Sequence, residues 1–152
     1  KGKRIGGWLI WVCIGLFLNF SNSINNINLY ENDVLNTENI TLLMSIEGGS
    51  SILSSLKFSY FSTSIIMTAF IFLIILFFQR KRVFVKVFIV IWISIILLHT
   101  IDYILTIAMS EGAIREWKMP SAEKNIILSF GSALIWIPYF VKSKRVKETF
   151  IK

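Results

Sequence analysis

His99 and Asp102 are the residues of this chain whose types and spacing best suit chemistry, and both lie inside a long apolar run. Because they are three residues apart, a helix would place both side chains on one face. An imidazole and a carboxylate beside a hydroxyl group can activate a nucleophile or transfer a proton. An ionisable side chain inside an apolar span is a functional candidate by default, because it is costly to bury there.

Two serines of a later apolar run, Ser129 and Ser132, are candidate nucleophiles for such a site. A hydrolytic triad needs a nucleophile held against its base and donors around the oxyanion, and the sequence has no Gly-x-Ser-x-Gly turn. The single histidine excludes a multi-histidine metal site within one chain, and the single cysteine, Cys13, excludes an internal disulfide. The sequence therefore predicts no catalytic residue, no metal and no cofactor, and a protein that is not an enzyme.

A polar cavity is a second use for the same residues. Hydroxyl side chains make the outer half of a neighbouring apolar run unusually polar, and they could form a wet, outward-facing cavity with the two ionisable residues. The predicted cavity residues are Ser59, Ser62, Thr63, His99 and Asp102. In the structural alternative, Asp102 pairs with His99, Lys57 or Lys124 and fixes the outer ends of the helices. The hydroxyl groups then bond to their own backbone or to a neighbouring helix.

The composition indicates that these apolar runs are embedded in a lipid bilayer. Hydrophobic residues make up 55% of the 152 residues and the mean hydropathy is +0.67. Charged residues make up 16%, against about 25% in soluble domains. The net charge of +7 could suggest nucleic acid, but the basic residues cluster at the ends of apolar runs. We therefore predict a membrane protein that does not bind nucleic acid.

Four apolar runs predict a single domain, residues 1–152, that is an all-α bundle of four transmembrane helices. The predicted spans are residues 5–20, 58–78, 83–107 and 125–141. A helix needs about 20 apolar residues to cross the hydrocarbon core, so the first and last spans are short. Residues 21–57 are predicted as a long outer loop, with one short helix over 36–46 stopped by Gly48 and Gly49. We interpret the asparagines of this loop as compositional bias.

The positive charges predict the direction of threading. Twelve of the 16 Lys and Arg residues lie on one side of the predicted spans, and seven of the nine acidic residues lie on the other. The twelve are Lys1, Lys3, Arg4, Arg80, Lys81, Arg82, Lys86, Lys142, Lys144, Arg145, Lys147 and Lys152. The positive-inside rule puts both termini in the cytoplasm, against an anionic inner leaflet. Gln79 to Arg82 then form a tight turn between two antiparallel helices.

Small residues and three motifs complete the sequence pattern. Small residues at the first span, Gly6, Gly7 and Gly15, and in the last, Gly131, Ser132 and Ala133, predict close helix packing. The motifs are Gly6-Gly7-Trp8-Leu9 after a basic start, Phe77-Phe78-Gln79-Arg80-Lys81-Arg82 in the middle, and Trp136-Ile137-Pro138-Tyr139 continuing to Ser143-Lys144-Arg145-Val146-Lys147-Glu148-Thr149-Phe150. Together they resemble domain of unknown function 2569, a family of small bacterial inner-membrane proteins. The resemblance covers nearly the whole chain outside the long loop.

The resemblance implies a four-span bacterial inner-membrane protein without an assigned activity. It implies shared positions that serve as a family motif or as a docking site for a partner: Gly6, Gly7, Trp8, Pro138, Tyr139, Arg145, Val146, Lys147, Thr149 and Phe150. It also matches Asp102 to an acidic position near the end of the third helix. This chain departs from its relatives at 58–60, where they often carry Glu, and at 83–85, where they often carry Pro.

Two functions follow as hypotheses. The first is a non-enzymatic accessory component that associates with itself or with another membrane protein. The alternative is a small transporter, or a module that handles lipid, ion or solute through the outer-facing polar cavity. Four helices make a thin wall for a pore, so transport predicts an oligomer.

Overall fold

The computed structural model describes residues 7–108 and 113–150, and these residues form helices and short connections without a strand. The order is α1 (Trp8–Leu29), a π-helical turn (Tyr30–Val34), α2 (Thr37–Met44), α3 (Gly49–Gln79), α4 (Val83–Ala108), α5 (Ala113–Lys142) and α6 (Lys144–Thr149). Four helices are long and apolar enough to cross a membrane: Trp8–Asn32, Gly49–Gln79, Val83–Ala108 and Ala122–Lys142. The all-α bundle with four candidate membrane spans is confirmed.

The predicted long loop over residues 21–57 is wrong, because most of it is helical. The first helix runs on to Leu29 and the third begins at Gly49. Polar side chains are accommodated within these helices by bonding to carbonyls one turn earlier. Asn19 Nδ2 donates to Gly15 O at 2.8 Å, and Ser23 Oγ donates to Asn19 O at 3.0 Å. A search for apolar runs misses helix that is continued in this way.

The short helix predicted inside this segment is confirmed as α2. Its start is capped by the Asn36 side chain, which accepts from Asn39 N at 2.8 Å. Its end is followed by Gly48 with φ of 79° and by Gly49, where a Cβ would meet Leu43 O at 1.6 Å. Only glycine fits at Gly49, so this turn folds α2 back onto α3.

The long helices pack in chain order. In the described parts of the chain, α1 lies on α3, α3 on α4 and α4 on α5. The predicted turn between antiparallel helices is confirmed at Arg80, which ends α3 in the left-handed conformation with φ of 53°. The main core lies toward this turn, and its largest buried side chains are Phe77, Phe84, Phe88, Phe140, Leu9 and Leu73.

The prediction of close packing at small residues is confirmed at Ala133, which is 7% exposed within the main core, and is wrong at Gly15 and Gly131. A Cβ added at Gly15 or at Gly131 would meet no atom within 4 Å. Both positions therefore leave room for a side chain. The exception is Gly7, where a Cβ would lie 3.2 Å from a guanidinium nitrogen of Arg145.

Candidate functional site: a polar cavity between the long helices

A cavity of about 50 Å³ lies among α1, α3, α4 and α5. Its polar lining is contributed by all four: Asn19, Asn22, Ser23, Asn26, Thr63, His99, Asn125, Ser129 and Ser132. One water needs roughly 10–15 Å³ of such volume and two to four polar partners. The cavity therefore has room for a few waters, or for a solute of that size, and enough donors and acceptors to hold them.

The first helix contributes a polar stripe that sequence reasoning missed. Asn19, Asn22, Ser23 and Asn26 follow the spacing i, i+3, i+4 and i+7, which is one face of a helix. The interpretation of the asparagines as compositional bias hid this pattern, although the helical period was a readable signal. Ser23 is 5% exposed and Asn19 and Asn26 are partly buried, whereas Asn22 is exposed, so the stripe lies along the edge of the helix interface.

The last long helix presents a matching stripe at Asn125, Ser129 and Ser132, spaced i, i+4 and i+7. Ser129 is 6% exposed, and its Oγ donates to Asn125 O at 2.7 Å. The two serines were predicted only as candidate nucleophiles. In the structure they are lining residues of the cavity, across from the asparagines of α1.

His99 connects α4 to this stripe. Its Nδ1 lies 2.6 Å from Ser129 Oγ. Ser129 Oγ thus has two partners, Asn125 O and His99 Nδ1, and the donor in the contact with His99 depends on the tautomer of the imidazole.

The three residues of the candidate triad are neighbours in the structure. His99 Nδ1 lies beside Ser129 Oγ, and Asp102 interacts electrostatically with the imidazole while it accepts a hydrogen bond from Ser59. A hydrolytic site also needs a positioned nucleophile with donors around the oxyanion, and the sequence has no Gly-x-Ser-x-Gly turn to supply them.

Asp102 forms a buried pair beside the cavity. It is 6% exposed and accepts a short hydrogen bond from Ser59 Oγ, which ties α4 to α3. Tyr30, in the π-helical turn, lies beside the same two residues and packs against Ile52 and Leu56 of α3. The π-helical turn thus lies against this pair. The contact joins two helices, but Ser59 was not among the partners predicted for Asp102 in the structural alternative.

The predicted cavity residues therefore divide into two groups. Thr63 and His99 line the cavity, whereas Ser59 and Asp102 form the adjoining buried pair. The hydroxyl groups of Ser62 and Thr63 donate to Ser59 O at 3.0 and 2.8 Å, as the backbone-bonding alternative predicted. Lys57 is exposed at the surface.

Aromatic rings form the floor of the cavity. The rings of Phe70 and Trp92 meet edge to face with centroids 5.8 Å apart. The indole Nε1 of Trp92 donates to Ser129 O at 3.3 Å. Nine residues of helix separate Trp92 from Val83, so the floor lies about 14 Å from the α3–α4 turn, near the middle of a 30 Å hydrocarbon core.

The cavity opens between α1 and α5. Its lining residues on α3 and α4, such as Ile66 and Ile95, are buried, whereas Asn22 of α1 and Leu128 of α5 are exposed. Among the described residues, the extensive helix contacts run from α1 through α3 and α4 to α5, and the pair α1 and α5 is not one of them. The exposed lining residues on α1 and α5 mark the side at which the cavity reaches the surface.

The terminal motif forms a separate cluster on the far side of the floor. Val146, Thr149 and Phe150 are buried, and the Phe150 ring stacks on Phe84 with centroids 4.6 Å apart. The guanidinium of Arg145 lies over Gly7, which has φ of 59°. Gly6 lies outside the described residues. The structure thus brings Gly7, near the start of the chain, against Arg145, near its end. The buried residues of the terminal motif pack within the same chain.

The remaining motif residues stay at the surface. Trp8 is 64% exposed, and Pro138 and Lys147 are also exposed. Tyr139 is partly buried against the aromatic core, 5.7 Å from the Phe140 ring. These exposed positions can contact lipid or another protein without unpacking the tail.

Comparison with known proteins gives one match, to a family model. The family model described as "Protein of unknown function (DUF2569)" matches residues 2–151. No curated protein and no solved structure matches the chain. Within the described residues, no group of three or more His, Cys, Asp or Glu side chains is placed to hold a metal ion.

Proposed function

Because the chain belongs to the DUF2569 family, whose description assigns no activity, we propose its function from its geometry: it binds a small polar ligand inside the membrane. It is a multi-pass membrane protein with four apolar helices. The polar cavity carries the proposal. Its polar lining consists of neutral amides and hydroxyl groups with one imidazole, beside apolar and aromatic side chains, which suits a small hydrogen-bonding solute and requires no chemical step.

The size of the cavity limits the ligand. Drug-sized ligands occupy pockets of roughly 300–1,000 Å³, far above the volume found here. The ligand is therefore a solute of a few heavy atoms, or the tip of a larger molecule that enters between α1 and α5. Transport would require the Phe70–Trp92 floor to open, so we propose binding as the function of this conformation and transport as a further step of an oligomer.

The site of action is the bacterial inner membrane, with both termini in the cytoplasm. The support is the charge asymmetry: eight described basic residues lie at the α3–α4 turn and the α5–α6 end, namely Arg80, Lys81, Arg82, Lys86, Lys142, Lys144, Arg145 and Lys147. Positively charged loops remain on the cytoplasmic side. The cavity then opens toward the outer leaflet, while the basic end faces the anionic inner leaflet.

The second candidate is a non-enzymatic accessory component, which the open side between α1 and α5 favours. The two flanking spans have mean hydropathy of 1.3, whereas the spans of α3 and α4 have 2.5 and 2.4. Less apolar helices suit a surface that a partner helix covers. In this case the polar stripes would bond to a second polypeptide rather than to a solute.

Native mass spectrometry of protein extracted gently with its lipid tests both candidates. A small bound molecule on the wild-type protein, lost in Ser132→Phe because the ring fills the cavity, supports ligand binding. The matched control is Ser94→Phe on the exposed face of α4, which should keep the molecule. A stoichiometric second polypeptide supports the accessory role. Wild-type protein that carries neither molecule contradicts both.

A further inference from the structure

The basic tail is a rigid part of the fold, and this makes its charges a defined surface. Ser143 accepts from Val146 N and begins α6. On one face of α6, Val146 and Thr149 are buried, and Thr149 Oγ1 donates to Arg145 O at 2.8 Å. Lys144 and Lys147, three residues apart, share the exposed face. A helix held in this way cannot move its lysines freely.

Aromatic contacts place this helix beside the α3–α4 turn. The Phe150 ring lies 4.6 Å from Phe84 and 5.7 Å from Phe77. These two residues flank the turn that contains Arg80, Lys81 and Arg82. Two basic segments that are far apart in sequence therefore meet at one end of the bundle.

The charge at this end is strongly one-sided. Among the described residues of the two segments, Glu148 is the acidic side chain beside the eight basic ones. Lys81, Lys142, Lys144 and Lys147 are exposed. Because these residues directly follow or precede membrane spans, their cations lie at the level of lipid headgroups rather than in bulk water.

We propose that this surface, formed by the α3–α4 turn and α6, binds a phospholipid with two phosphate groups, of the diphosphatidylglycerol class. Two rigid cationic segments side by side match two phosphates on one headgroup better than a single one. Basic surfaces between transmembrane helices at the cytoplasmic side suit such headgroups. The site is separate from the polar cavity and does not depend on the ligand proposed there.

Lipid retention in native mass spectrometry tests the site. The full-length protein is exchanged into phosphatidylcholine micelles and titrated with diphosphatidylglycerol or, at equal phosphate, with phosphatidylglycerol. Wild-type protein should retain one diphosphatidylglycerol at lower concentration than any phosphatidylglycerol. Lys144→Gln combined with Lys147→Gln should weaken that retention roughly thirtyfold, because each headgroup-level lysine contributes about a factor of five.

The matched control removes two lysines from the opposite end of the bundle. Lys57 and Lys124 are both exposed, and Lys57→Gln combined with Lys124→Gln should leave retention unchanged. Circular dichroism of both double variants checks that the helices remain folded. Equal retention of the two lipids, equal loss in both double variants, or displacement of the lipid by an equal concentration of pyrophosphate would each overturn the proposal.

Discussion

The two ends of the bundle are stabilised by different kinds of interaction, aromatic packing at one and hydrogen bonds at the other. Toward the α3–α4 turn, aromatic rings stack in a continuous core, as in the Phe88–Trp92 pair at 5.0 Å and the Phe88–Phe140 pair at 4.4 Å. Toward the other end, the helices are joined by a few directed contacts, chiefly Ser59 to Asp102 and His99 to Ser129. The comparison indicates that the first end provides stability and the second end leaves room for a ligand.

The boundary between the two ends is the Phe70–Trp92 floor. Trp92 belongs to both, because its ring stacks on Phe88 while its Nε1 reaches Ser129 O. Packing is non-directional and tolerates little empty space, whereas hydrogen bonds fix orientation and tolerate water between partners. Substitutions on either side of the floor should therefore differ in the size and kind of their effects.

The largest expected effect is at the aromatic end. Phe84→Ala should lower the free energy of unfolding by about 3–5 kcal/mol, because it removes a fully buried ring that contacts Phe77, Phe140 and Phe150. Equilibrium unfolding in mixed micelles measures the change. Phe61→Ala, at a position 64% exposed, is the matched control and should have little effect. Equal losses in both variants would contradict a core at this end.

A smaller loss is expected from the buried pair at the polar end. Ser59→Ala removes the hydroxyl that donates to Asp102 and should cost about 1–3 kcal/mol. Ser64→Ala is the control, since its hydroxyl bonds only to the backbone at Tyr60 O. The same unfolding assay compares the two. If Ser64→Ala is as costly as Ser59→Ala, the Asp102 contact does not join the helices.

A loss of stability of similar or smaller size is expected where Gly7, near the N-terminus, contacts Arg145, near the C-terminus. Gly7→Ala should cost about 1–2 kcal/mol, because residue 7 has positive φ and the new Cβ would crowd the Arg145 guanidinium. Gly131→Ala should instead stabilise the protein by about 0.5–1 kcal/mol, since alanine favours a helix and meets no atom there. A loss at Gly131 would show that this side is covered in the membrane.

The sequence predicted the features that depend on local composition. Apolar runs identified four helices, the basic turn identified the α3–α4 connection, and Asn36 with Gly48 and Gly49 identified α2. It did not predict the polar stripe of α1, because asparagine is a poor helix former and apolar length was the criterion. That Asn19 and Ser129 line the same cavity depends on tertiary packing, which no local pattern specifies.

In the terminal motif, too, the sequence identified the residues but not the tertiary contacts that they make. The resemblance drew attention to Gly7, Arg145 and Phe150, but it did not separate packing from docking. The structure buries Phe150 against Phe84 and puts Arg145 over Gly7, contacts that join residues more than sixty positions apart. The exposed face of α6, with Lys144 and Lys147, remains accessible to a partner outside the chain, as do Trp8 and Pro138.

The most direct test compares the accessibility of two cysteines at the same depth in the bundle, one facing the cavity and one facing away from it. It tests the claim that water fills the polar end and stops at the aromatic floor. In a Cys13→Ser background, Ser132→Cys faces the cavity and Ser94→Cys faces outward from α4, at nearly equal distances from the basic end. A membrane-impermeant thiol reagent applied from outside should modify Cys at 132 at least tenfold faster than Cys at 94. Equal rates, or no reaction at either position, would contradict a water-filled cavity.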